Sequence, residues 1–441
     1  MPWSREDARR RFAEPFHAAH PVPRTIGREA EFPVVRADNG ELLELVDLMP
    51  RVMERLSETL DVSPIIDEYD GAQRLCGARS DRWALFLEGG RGTVELTAGP
   101  AESIFELAEA MRPVLAALHD TLDSEGAALL GYGIQPRTPH RRSTILPRGR
   151  YYALADVLGD GPFSAWSITA ADQAHVAVDR TEVTVVVNAL HAATPFAIAL
   201  TANSSVFGDR CNPCASGREH LMDQSGVDRH GMTPTLLRTL DDYVDHLLDQ
   251  QVLFLRDADD RPQAFGRQSL AELLLARQDL DGEKLLDDQD HYSWANARPR
   301  RRYSTVEYRP CCQQPQDDAW LPTALTIGIV ERAPEVLELM LTLTGGDWTA
   351  LRAARRRAIE GGIHSVAACT DTVRHFLDLV ASGLTARGLG EEIFIKPAYD
   401  RLAAMAGPAD AARALHAAGG AVALVRSRAY RRATAVPTPA T

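Results

Sequence analysis

The sequence predicts an α+β fold: a curved, mainly antiparallel sheet with helices packed on its outer face and acidic side chains on its inner face. Three observations carry this. Strand-like segments occur singly or as hairpins, with helical periodicities between them. Two of those strands are acidic, Gly27-Arg28-Glu29-Ala30-Glu31 and Thr93-Val94-Glu95-Leu96. No glycine fingerprint of a doubly wound sheet occurs.

Taken in order, residues 1–24 read as a helical or irregular leader and residues 25–37 as a strand. Residues 42–60 carry apolar positions at helical spacing (Leu45, Leu48, Met49, Val52, Met53, Leu56), with a kink or break expected at Pro50. Residues 83–87 and 92–97 read as a hairpin joined by a glycine-rich turn, and residues 101–122 as an amphipathic helix. A strand at 127–135, a proline-marked polar loop, and a strand ending in His175-Val176-Ala177-Val178-Asp179 follow. Residues 182–204 read as an apolar helix and 205–233 as a long functional loop. Helices are expected at 234–255 and 269–280, a strand at 303–309, and mostly helix from 318 to 424. Residues 1–425 are expected to form one domain, and 426–441 a disordered tail.

Composition narrows the function. The chain has 441 residues, 45% hydrophobic and 25% charged, in the range of globular proteins. A net charge of −13 disfavours nucleic acid or an anionic membrane as partner. No uninterrupted apolar run reaches about 18 residues, so no transmembrane helix is expected. The first residues lack the apolar core of a secretory signal, and a cytoplasmic enzyme is the expectation. Lysine occurs only as Lys284 and Lys396, and no P-loop sequence exists, so phosphate charge must be met by arginine and metal. Cys211/Cys214 and Cys311/Cys312 admit three readings: structural zinc, a redox disulfide, or free thiols.

The acidic strands point to chemistry. Glu29 and Glu31 are two apart, so both leave the same strand face. Adjacent carboxylates repel unless a proton or a cation lies between them. Hard divalent cations take such oxygens and commonly bring phosphates, which points to metal-dependent phosphoryl transfer on a sheet. The bland alternative is a solvated acidic face.

In order along the chain, further segments carry a resemblance. They are Ile26-Gly27-Arg28-Glu29-Ala30-Glu31, Leu87-Glu88-Gly89-Gly90 with Val94-Glu95-Leu96, Gly131-Tyr132-Gly133-Ile134-Gln135-Pro136, and Leu146-Pro147-Arg148-Gly149-Arg150-Tyr151. Ala202-Asn203-Ser204, Ser216-Gly217-Arg218, Asp228-Arg229-His230-Gly231-Met232 and Val306-Glu307-Tyr308-Arg309 continue it. From about Ile26 to Arg309 the chain resembles the plant and proteobacterial type of glutamate–cysteine ligase, with the related actinobacterial enzymes and bacterial carboxylate–amine ligases. The resemblance implies a glutamine-synthetase-like catalytic fold, ATP as co-substrate, Mg²⁺ (or Mn²⁺), and amide formation through an acyl phosphate. It implies Glu29, Glu31, Glu95 and Glu307 as metal ligands. Arg309 would stabilise the transferring phosphoryl group, and Arg150 and Arg218 would bind a substrate carboxylate or a phosphate. Glu88 and His175 would join the nucleotide and metal surroundings, while His17 and His20 read as surface.

The chain departs from the family pattern around the amino-acid substrates. Trp166-Ser167-Ile168-Thr169-Ala170 stands where the family has Met-Met-x-x-Thr, and no Trp follows Ser216-Gly217-Arg218. The substrate expectation is therefore amino acids and ATP, with glutamate and cysteine or a different amine. A nucleotide-binding pseudoenzyme and a metal hydrolase are the competing classes. All four metal carboxylates being present argues against the first. The absence of a His-Glu-x-x-His cluster argues against the second.

Overall fold

The computed structural model describes residues 3–226 and 228–432. Its strands are β1 (Ile26–Arg36), β2 (Ser63–Tyr69), β3 (Ala72–Arg79), β4 (Trp83–Leu87), β5 (Thr93–Ala101), β6 (Ala127–Leu129), β7 (Asp172–Ala177), β8 (His230–Gly231), β9 (Phe254–Arg256), β10 (Pro262–Ala264), β11 (Trp294–Ala295), β12 (Ala297–Arg300) and β13 (Thr305–Tyr308). Nine form one sheet in the order β12-β13-β7-β1-β5-β4-β3-β2, with β6 also on β1. Every pairing in that sheet is antiparallel. The expected sheet class therefore holds.

Alternation along β1 sorts its side chains. Arg28, Ala30 and Phe32 are buried against the helical side, and Glu29 and Glu31 take the other face. The helix Ile104–Ser124 packs on β5 and β6, and the helix Leu321–Glu331 packs on β7. Behind them the helix Val183–Thr201 is surrounded by the helices Leu321–Glu331, Ala333–Leu343 and Trp348–Gly361. Val183–Thr201 is long and apolar enough to cross a membrane by length and composition, yet 89% of its apolar window is buried inside the fold. Arg28 is the one buried charged β1 residue on this side. Its Nε and Nη2 donate to Asp172 at 2.9 and 2.5 Å, and its guanidinium lies 4.2 Å from the Trp320 ring centroid. A buried charge needs such pairing, so Arg28 fastens β1 to β7 and takes no part in the acidic face.

Several expectations are corrected. Pro50 does not kink a long helix. It lies in the first turn of the helix Met49–Ser57, where its missing N–H costs nothing. The hairpin β2–β3 was not foreseen, although Asp70-Gly71 marks its turn and both residues have positive φ, 50° and 76°. The strand expected at 127–135 is regular only over Ala127–Leu129, followed by isolated bridges at Leu130 and Ile134. The helices Gly149–Leu158, Asp160–Trp166 and Gly282–His291 were missed. The tail expectation divides. Arg426 to Arg428 end the helix Pro408–Arg428, Ala429 bridges Leu130, and Tyr430 is buried edge-on against Phe32. Residues 433–441 lie outside the described residues.

Candidate active site

The inner sheet face forms the floor of a cavity of about 950 Å³. Strand register sets the floor on three neighbouring rungs of the sheet. Glu31 on β1 is directly opposite Glu95 on β5, which is opposite Phe86 on β4. Glu29 lies opposite Gln173 on β7, His175 opposite Glu307 on β13, and Glu307 opposite Arg298 on β12. Register partners share a face, so four strands deliver Glu29, Glu31, Glu95, His175 and Glu307 to one surface. Eight of the nine site residues expected from the sequence (Glu29, Glu31, Glu88, Glu95, Arg150, His175, Arg218 and Arg309) line this cavity. The ninth, Glu307, is fully buried beside His175 and Arg309 and does not itself line the cavity.

The β12–β13 end is basic. Arg298 meets the Glu307 carboxylate through Nε at 2.9 Å and Nη2 at 3.1 Å. Arg300 Nε lies 3.3 Å from the same carboxylate, and Arg309 donates to it through Nη1. Burial alone would hold Glu307 protonated, but Arg298, Arg309 and Arg300 keep it well below the usual carboxylate range. Arg298 also donates from Nη1 to the carbonyls of Asp290, His291 and Ser293, so it is fully occupied as a support. Arg300 and Arg309 face the cavity. His175 Nε2 reaches Glu29 at 2.9 Å and Glu307 at 3.8 Å.

The β4–β5 end is different. Glu31 accepts from the Ala171 N–H at 2.6 Å and from Gln173 Nε2 at 3.0 Å. Glu95 is 6% exposed and has no hydrogen-bond or ion-pair partner among the described residues. Burial, with Glu29, Glu88 and Glu31 nearby, pushes its pKa well above normal. Burial likewise raises Glu31. Glu29 faces the same burial but is held below normal by His175. Glu88 sits at the glycine turn and accepts from Tyr151 Oη at 2.6 Å, with Arg148 3.5 Å and Arg150 3.9 Å away. That turn needs glycine. Gly89 has φ +65°, and a Cβ on Gly90 would lie 1.8 Å from the Ser167 carbonyl. The close approach sets the segment carrying Trp166 and Thr169 above Glu88.

Arg218 comes from the short helix Gly217–Met222, capped by Ser216 and hidden inside the expected 205–233 loop. It is 2% exposed. Its Nη1 donates to Glu219 at 2.6 Å, while its buried Nε has no partner among the described residues. Glu219 in turn accepts from Arg355 at 2.6 Å and Asn296 at 2.9 Å. Asn296 also accepts the Arg309 N–H at 2.8 Å through its carbonyl, which ties the two arginines to one scaffold.

The donor set fits divalent cations. Glu29, His175 and Glu307 present ligand atoms within 4.8 Å of one another. Unpartnered Glu95 beside Glu31 and Glu88 is the arrangement that a cation resolves. Neither candidate metal cluster among the described residues contains cysteine, and all six cysteines are free thiols, which favours the third of their readings. Sequence reasoning missed Arg298 and Arg300. Their signal was two arginines two apart, which one strand face would carry beside Glu307. His17, read as surface, is exposed but sits at the cavity rim.

A family model described as glutamate-cysteine ligase family 2 (GCS2) matches residues 25–427. The chloroplastic glutamate–cysteine ligase of Medicago truncatula is 25% identical over 224 residues, 48% of this chain and 44% of that protein. The putative glutamate–cysteine ligase 2-2 of Mycobacterium sp. (strain KMS) is 28% identical over 205 residues, 46% of this chain and 48% of that protein. The matched region thus spans about half the length of these curated relatives. Among solved structures, a glutamate–cysteine ligase of Francisella tularensis in complex with AMP aligns with a TM-score of 0.54 at 11% identity, covering 93% of this chain and 89% of that one. That likeness concerns the fold, and it agrees with the glutamine-synthetase-like class expected from the motifs. Because the family match runs from β1 through the last helix, the chain belongs to glutamate-cysteine ligase family 2.

Proposed function

We propose that the protein is an ATP-dependent carboxylate–amine ligase that joins the γ-carboxylate of glutamate to a primary amine. Cysteine is the amine that the relatives' names suggest. The observation that carries this reading is the juxtaposition in one cavity of carboxylates that no arginine pairs among the described residues (Glu95, Glu31, Glu29) with cavity-facing arginines (Arg300, Arg309, Arg218). A hydrolase acting on a neutral substrate needs no such balance.

Glu29, Glu31 and Glu95, with His175, would hold Mg²⁺ or Mn²⁺. Bound there, the ions would screen the repulsion between a carboxylate nucleophile and a triphosphate. Glu307 serves first to hold Arg298, Arg300 and Arg309 in place. Arg309 and Arg300 then meet the negative charge of the transferring phosphoryl group. A γ-carboxylate oxygen of glutamate bonds to the γ-phosphorus as the bond to the ADP oxygen breaks. The amine nitrogen next attacks the acyl carbon, the C–O bond to phosphate breaks, and the nitrogen releases one proton. Arg218 and Arg150 suit an α-carboxylate, which a guanidinium can grip with two parallel bonds.

The test is mass spectrometry of the protein with Mg-ATP, glutamate and a panel of amines, with ADP followed in parallel. A product equal to glutamate plus amine minus water, formed one-for-one with ADP, is expected. ADP without an amide contradicts the second step, and bound nucleotide without ADP favours the pseudoenzyme.

A further inference from the structure

We infer that Cys211 is a covalent modification site, a thiol activated by His416 and Asp209 that takes up low-molecular-weight disulfides as a mixed disulfide. The inference stands apart from the ligase reading, which leaves this corner of the molecule unused. Cys211 is the exposed one of the six free thiols; Cys369 is half-buried and the other four are buried. Its Sγ lies 3.7 Å from His416 Nδ1, and His416 Nε2 lies 3.3 Å from an Asp209 carboxylate oxygen. Two distant stretches of chain build this row. Residues 206–211 form a tight turn, with positive φ at Gly208 (61°) and Asp209 (55°) and a bridge between Val206 and Cys211. Arg413 Nη2 donates to the Asn212 and Pro213 carbonyls at 3.1 and 3.0 Å. Arg413 and His416 are three apart on the helix Pro408–Arg428, so one helix face both clamps the turn and meets the thiol.

The order of the three groups decides the chemistry. A carboxylate only accepts, so Asp209 holds the imidazole proton on Nε2 and leaves the Nδ1 lone pair facing the thiol. The two partners take different ring nitrogens, which makes the cluster a proton relay and not a chelate. Helical geometry breaks at Gly419 and Gly420, so His416 occupies the last turn before the break, where the carbonyl ends favour a cation. The other charged groups around the row are Arg137, whose Nε lies 3.7 Å from Asp209, exposed Arg210 next to Cys211 in the chain, and Arg413, 3.9 Å from Asp410. In the reaction the Cys211 proton moves to His416 Nδ1. Sγ bonds to one sulfur of the small disulfide, the disulfide bond breaks, and the other sulfur leaves as a thiolate. The small disulfide is itself the oxidant, so nothing else is consumed.

The experiment follows mixed-disulfide formation on the full chain by mass spectrometry, as a rate against pH. The probe is the neutral disulfide of mercaptoethanol. The first adduct should sit on the peptide carrying Cys211 and be absent from Cys211→Ser; an adduct that forms first elsewhere overturns the inference. The relay lowers the midpoint of the pH–rate curve by at least about one unit from the free-cysteine value near about 8.5. The urea-unfolded wild type supplies that reference without any variant. One unit means about tenfold more thiolate near neutral pH, partly offset by a weaker nucleophile, so the neutral-pH rate gains about threefold. His416→Gln should return the midpoint to the unfolded value, and Asp209→Asn should move it part of the way. A folded wild-type midpoint equal to that of the unfolded chain overturns the inference. So does a midpoint that His416→Gln or Asp209→Asn leaves unchanged, or a Cys211–Cys214 disulfide formed in place of the adduct.

Discussion

Glu307 and Glu95 are the same side chain on the same sheet face, and the fold treats them oppositely. Glu307, fully buried, receives three guanidinium groups and stays charged. Glu95, nearly as buried, faces three carboxylates and has no partner among the described residues. The basic end is complete as a piece of protein, whereas the acidic end is complete only with something positive in it. An unpaired buried carboxylate is costly, and the cation of the proposed function would relieve that cost.

That contrast is open to direct attack. The largest effect is expected in Glu95→Gln, which keeps the shape and removes the proposed cation ligand. Its ADP-forming kcat/KM should drop by about a thousandfold or more, while its thermal midpoint without metal holds or rises. A fall in both would make Glu95 a structural residue. Glu307→Gln should show the reverse emphasis, because it strands three arginines. Breaking such a buried pair costs about 3–5 kcal/mol, to be read as a lower urea midpoint. If the two variants lose equal stability, the distinction between the ends is wrong.

Metal addition sharpens the same point. Mg²⁺ alone should raise the melting temperature of the wild type, by about 2.7 kcal/mol of linkage at a hundredfold excess over Kd. The shift should shrink in Glu95→Gln, and differential scanning calorimetry reads it. Equal shifts in both proteins would place the cation elsewhere.

The smallest effect at neutral pH lies beneath the basic end. His191, buried in the helix Val183–Thr201, is lowered to about 3 by burial and then by Arg355 and His246. In the unfolded chain it would titrate near about 6.5. Only the unfolded state takes up a proton between those values. Stability is therefore full above about pH 6.5 and is lost as pH falls toward 3. His191→Gln should flatten that slope in urea titrations at pH 7 and pH 5, and an unchanged slope would assign it to other groups.

The sequence exposed the acidic end more fully than the basic one. Glu29 and Glu31 announce a shared face by their spacing alone, and the glycine turn after Glu88 is visible as a pair of glycines. The register Glu31–Glu95 is a tertiary fact, yet it follows once two strands are recognised as neighbours. The basic end depends on β12, a strand of four residues whose Pro299 weakens any strand reading. Arg298 and Arg300 become legible only when β13 is laid against them. Arg218 was found by its motif, but the buried scaffold that aims it draws Glu219, Asn296 and Arg355 from three separate parts of the chain. The β2–β3 hairpin is hard to read for a local reason: β2 lacks clean apolar–polar alternation in sequence, so only its Asp70-Gly71 turn marks it.

The measurement that meets the central claim most directly is oxygen transfer. Glutamate labelled with ¹⁸O in its γ-carboxylate is turned over with Mg-ATP and an accepted amine, and the inorganic phosphate is weighed by mass spectrometry. An acyl phosphate on this sheet face puts one ¹⁸O into each phosphate released. Unlabelled phosphate, formed with amide, would mean that the carboxylate is never phosphorylated and would contradict the account.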